Sequence, residues 1–167
     1  MLFRSLRAGV NMGLGTDTTP HNLVEEMRKA AVLARIAARD VAAVTMADLL
    51  HAATVGGARA LMREDLGRIA VDMKADLVVL DLTVPQMMPA RDPLRSFIYH
   101  AADRAVRDVF VDGRQVVAEG KVLTLDQAAA GERLVRAQRR MLEMAPRRDY
   151  RGRSAEAIVP LSLPLAD

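Results

Sequence analysis

Cysteine is absent from the 167 residues, which removes disulfide frameworks, cysteine-ligated zinc and thiol nucleophiles. Tryptophan is absent too and aromatic residues make up only 3%, so any core has to be filled by Ala, Val, Leu, Ile and Met. No apolar run approaches the ~20 residues of a membrane-spanning helix, and no signal-peptide pattern opens the chain. A cytoplasmic protein with no membrane partner is expected. A strong charge of one sign is also lacking, the net value being only +3. Much of the basicity sits late, in Arg133, Arg136, Arg139, Arg140, Arg147, Arg148, Arg151 and Arg153. Such a cluster is one mark of nucleic-acid binding, but acidic residues are mixed in and no aromatics are interleaved for base stacking. No nucleic-acid partner is expected; the cluster reads as a solvated helix face with a polar tail.

What is present suits an ordinary globular domain: 51% hydrophobic and 27% charged residues. Leu2, Phe3, Leu6 and Val10 recur at helical spacing up to Ala8-Gly9. The Gly-dotted apolar run Val10 to Gly15 then predicts a buried strand. A lone strand cannot satisfy its own backbone groups, and the next strand candidates lie more than fifty residues on. The polar loop Thr16 to Asn22 leads into a helix over about Leu23 to Arg39, capped either by Thr19 with Pro20 at its first position or by Asn22. Thr45-Met46-Ala47-Asp48 has the form of a helix start, its helix broken at Gly56-Gly57 and followed by a turn over Ala58 to Arg63. The period then changes. Asp76 to Asp81 predicts a buried strand, with further strands at Ser96 to Tyr99 and Val106 to Val111. Asp112-Gly113 predicts a hairpin returning through Gln115 to Val117, and Gly120-Lys121 a second turn. Asp126 caps a last helix to about Met144, stopped before Pro146. Residues 147–167 have no period and form either an extended arm or a disordered tail.

Three stretches, taken together and in this order, resemble the amidohydrolase superfamily, in particular its cytosine deaminase-like and chlorohydrolase-like branch. Gly9 to Asp17, ending Gly13-Leu14-Gly15-Thr16-Asp17, is similar to the eighth barrel strand, which ends in a metal-site Asp. Ala52 to Leu61 is similar to the helix that follows. Leu66 to Asp81, continued by Val109 to Arg114, is similar to the β-sandwich that the family builds from both ends of its chain. Val71-Asp72-Met73-Lys74 departs from the pattern, the family usually placing Gly before this Lys. The implied fold is α/β: the last strand and helices of a TIM-barrel amidohydrolase (residues 1–64), a β-sandwich portion (65–125), and a C-terminal helix and tail (126–167).

The resemblance implies that Asp17 is both a ligand of a divalent metal, zinc or iron, and the acceptor of a proton from metal-activated water. By spacing alone, Asp17 reads equally as a loop or helix-start residue. His21, four residues on, either touches substrate or lies on the surface. His51 is expected to be a packing residue and His100 a structural one. Glu25 and Glu26 suit a helix start on electrostatic grounds and are assigned no chemistry. The family's other ligands, a His-x-His pair and two further histidines, have no counterpart before Asp17. One carboxylate does not hold a catalytic zinc. The chain is therefore expected to be part of a metal-dependent hydrolase of C–N or related bonds in a small, cyclic substrate, and inactive alone. It would need a missing N-terminal part or a homo-oligomer. A gene fragment, a late start at Met1 and a split protein are all compatible, as are deamination, dechlorination and ring-amide hydrolysis. The competing class is a non-catalytic interaction or assembly module.

Overall fold

In the computed structural model, which describes residues 4–5, 8–17 and 20–163, Asn22 starts the first long helix. Its side-chain oxygen accepts from the N–H groups of Val24 and Glu25 at 3.1 and 3.2 Å, and α1 runs Leu23–Ala38. Thr19, the other cap considered, lies outside the described residues, as do Leu2, Phe3 and Leu6. Glu25 and Glu26 in the first turn pair with Arg28 and Lys29, which suits the positive end of the helix dipole. Met27, Ala31 and Ala34 are buried, one stripe at helical spacing.

Thr45 starts α2, Met46–Ala53, through a capping box. Its N–H donates to Asp48 Oδ2 at 2.9 Å, and its hydroxyl oxygen accepts from the Asp48 N–H at 3.1 Å. The Thr45 N–H and hydroxyl hold the Asp48 carboxyl below its ordinary value, and such a cap contributes about 1 kcal/mol. The expected break at Gly56-Gly57 is not there. The chain turns at Thr54 and both glycines lie inside α3, Val55–Ala60, where Gly56 permits close approach of another segment rather than ending a helix.

Ser96 to Tyr99 is not a strand. After α4, Pro93–Ser96, the backbone continues as a π-helical turn, Phe97–Ala101. Phe97, Ile98 and Ala101 are all buried. A strand would send Phe97 and Ile98 to opposite faces, whereas a helical turn delivers both to one core. That core joins them to Met27, Ala31, Val44, Leu49 and Met87, with Leu80 and Val106 packed against it.

The sheet is antiparallel throughout, in the order β1 (Leu77–Leu80), β2 (Val106–Val111), β3 (Arg114–Ala118) and β4 (Lys121–Val122). Its register sets Val78, Val109, Val117 and Val122 in one cross-strand row. Asp112 and Gly113 turn the expected hairpin with φ of 50° and 78°, the positive values that a tight two-residue hairpin turn demands. Glu119 and Gly120 repeat this at 47° and 74°. β1 is only partly covered, with Val78 exposed, because nothing among the described residues encloses both of its faces.

Compactness divides the chain into Met1–Leu123 and Thr124–Asp167. In the second unit Asp126 accepts from the Ala129 N–H at 3.0 Å and caps α5, Gln127–Arg148, which runs through Pro146. The helix does not stop at Met144 because Pro146 forfeits one hydrogen bond near the end of its last turn, and the Asp149 N–H closes that turn on Ala145 O at 2.9 Å. Within the tail, Ser154 caps a short helix, α6, Ala155–Ile158. Asp149 accepts from the Arg153 side chain at 2.8 and 3.1 Å, which holds its carboxyl far below the usual range. No helix among the described residues is long and apolar enough to cross a membrane.

Candidate functional site

Residues 11–17 run extended, and Met12, Leu14 and Thr16 are partly covered while the residues between them are exposed. This is the period of a strand, but the predicted buried strand does not form, because a strand exists only through neighbours that take its backbone bonds. The one backbone bond from this segment to another element among the described residues runs from the Leu14 N–H to Ala52 O, 3.1 Å.

The segment is instead seated on α3. Asn11 Nδ2 donates to Gly56 O at 3.1 Å. A Cβ at Gly56 would overlap the Met12 carbonyl oxygen, and one at Gly13 would lie 3.3 Å from the Gly57 Cα. Gly13 and Gly56 thus let two backbones meet, a few residues before Asp17. Sequence reasoning missed Asn11 and misread Gly56; the paired glycines were the available signal.

Asp17 is exposed, has φ of 55°, and makes no hydrogen bond or ion pair with another described residue. On the same loop, His21 Nδ1 lies 3.3 Å from Thr16 Oγ1, so the loop is tied across the residue that follows Thr16. Asp17 and His21 share this loop without touching each other. His51 is not the packing residue expected: it is exposed, because α2 buries Met46, Leu49 and Ala52 on its other side. His100 belongs to the π-helical turn, exposed, its ring 6.3 Å from that of Tyr99. Among the described residues no three His, Asp or Glu side chains are grouped to hold a metal ion. Asp17 therefore has no second ligand-type side chain grouped with it into such a site among the described residues.

The sequence profile of the amidohydrolase family matches residues 2–116, and the chain belongs to that family. It is 37% identical over 145 residues to a 5-methylthioadenosine/S-adenosylhomocysteine deaminase of Desulforudis audaxviator, covering 84% of this chain and 34% of the relative. A 5'-deoxyadenosine deaminase of Methanopyrus kandleri is 36% identical over 126 residues, covering 73% and 29%. The structure of an adenosine deaminase from Xanthomonas campestris with bound zinc superposes with a TM-score of 0.76 at 37% identity, over 84% of this chain and 34% of that one. Atrazine chlorohydrolase from Arthrobacter aurescens TC1, complexed with zinc, gives 0.72 at 26% identity, over 84% and 31%. The chain spans about a third of the length of the relatives it matches.

Proposed function

We propose that these residues are the C-terminal part of a metal-dependent amidohydrolase that hydrolyses a C–N bond of a small cyclic substrate, a purine nucleoside being the leading case. The observation that carries the reading is the likeness to a deaminase at 37% identity across 84% of the chain. Residues 1–64 correspond to the last strand and helices of the barrel, 65–125 to the β portion, and 126–167 to a C-terminal helix and tail. Asp17 supplies one ligand to a divalent metal and handles a proton of the attacking water. His21 contacts substrate. Zinc is favoured over iron because the Xanthomonas and Arthrobacter structures hold zinc. The remaining ligands come from outside these 167 residues.

The purified chain is accordingly expected to carry no stoichiometric zinc or iron by elemental analysis, and to show no ammonia release from 5'-deoxyadenosine. Stoichiometric metal together with turnover would show that the site is complete without further residues and would overturn this division of labour.

A further inference from the structure

We infer that the first unit carries a second binding site, separate from Asp17, in which Arg59, Arg63 and Arg68 receive a small phosphate-bearing anion. These three arginines and Glu64 line a cavity of 250 Å³ with Val55 and Ala58 on its apolar side. That volume is below the ~300 Å³ at which pockets begin to take drug-sized ligands, so the occupant is no larger than a phosphate, a pyrophosphate or the phosphoryl end of a metabolite.

The charges on the wall are unbalanced. Arg63 is engaged through Nε and Nη2 with Asp65, at 2.7 Å each, which leaves its Nη1. The side chains of Arg59 and Arg68 make no hydrogen bond or ion pair among the described residues, and neither does that of Glu64. Three guanidinium groups therefore share one small wall with Glu64, whose carboxylate has no partner among the described residues, while Asp65 holds Arg63 and Asp76 and Asp112 act on Arg63 from farther off. Guanidinium is the side chain suited to phosphate, since its planar fork meets two oxygens at once. The late arginines differ: they are spread along α5 and the tail, and Arg136 and Arg153 already have carboxylate partners.

Backbone geometry keeps the three together. Gly67 has φ of 87°, and a Cβ there would lie 2.9 Å from both Thr54 O and Val55 Cα. The loop carrying Arg63 and Arg68 is thus pressed against the start of α3, which carries Arg59. The site is formed by contact between loop and helix and does not depend on Asp17, on a metal or on the hydrolytic reading.

The test is calorimetric titration of the full chain with pyrophosphate, inorganic phosphate and acetate at low ionic strength, where screening of exposed charges is weakest. One saturable site for pyrophosphate is expected, weaker binding of phosphate, and none of acetate. The R59A/R68A double variant should weaken pyrophosphate binding by about tenfold or more, whereas Glu64→Gln should tighten it by about threefold by removing the opposing charge. R133A/R140A, on α5, should leave it unchanged. Melting curves check that each variant is folded, and should R59A/R68A not fold, Glu64→Gln alone decides. Absence of saturable binding, equal loss in R133A/R140A, binding unaffected in folded R59A/R68A, or no tightening in Glu64→Gln would overturn the site.

Discussion

Asp17→Asn is expected to lower turnover by about 10²- to 10⁴-fold in a chimera where these 167 residues replace the matching third of the Desulforudis deaminase. The substitution keeps the shape of the side chain and removes its charge and its ability to accept a proton. Asp17 is exposed and makes no bond within the described residues, so the fold should lose almost nothing, with the melting temperature shifting by only about 2 °C. Metal content should fall along with turnover, since a neutral amide is a poorer ligand for a divalent cation than a carboxylate. Measuring kcat, bound metal and thermal melting on the same preparations separates these effects. An active parent chimera whose Asp17→Asn variant turns over at the same rate would remove Asp17 from the site.

Gly56→Ala is expected to destabilise the chain by about 3 kcal/mol, a loss of about 10 °C in melting temperature at this size. The added methyl would overlap the Met12 carbonyl oxygen and lie 3.2 Å from His51 O. Both are backbone atoms, so no side chain can swing aside. The neighbouring Gly57→Ala supplies the contrast. Its methyl would come only within 3.8 Å of Ala52 O, an ordinary contact, and alanine inside a helix is favoured over glycine by about 1 kcal/mol. A neutral or slightly stabilising effect is expected there. Equal losses at the two positions would mean that close approach to the Asp17 segment is not what Gly56 provides. In the chimera, Gly56→Ala should also depress turnover, because whatever moves Met12 moves the segment that ends at Asp17.

Features decided by short-range chemistry were legible in the sequence. Asp112-Gly113 permits only one kind of turn, and Thr45 with Asp48, or Asn22 with its two following N–H groups, needs nothing beyond a few neighbouring residues. What failed depended on surroundings. Ser96 to Tyr99 has a strand's composition, but Phe97 and Ile98 both face the same core, which only a helical turn achieves. Pro146 looked like a stop, yet the cost of a proline depends on how much helix follows it, and here that is two residues. Val10 to Gly15 has a strand's period without partners to pair with, so it stays extended and unpaired. The role proposed for Asp17 rests on family resemblance alone. Nothing in the physics of Gly15-Thr16-Asp17 distinguishes a site carboxylate from a loop carboxylate until the residues that would surround it are known.

The absence of tryptophan and the scarcity of other aromatics leave methionine to fill the interior, and this gives the molecule a chemical memory. Met27, Met46 and Met87 are at most 5% exposed, whereas Met62 is 91% and Met141 71% exposed. A mild oxidant reaches the second group in the folded protein and the first only when the core opens. Conversion to the sulfoxide makes the side chain polar, and a polar group without a partner does not return to a packed interior without cost. Oxygen on Met27 or Met87 would thus both record an opening of the first unit and hinder its closing again.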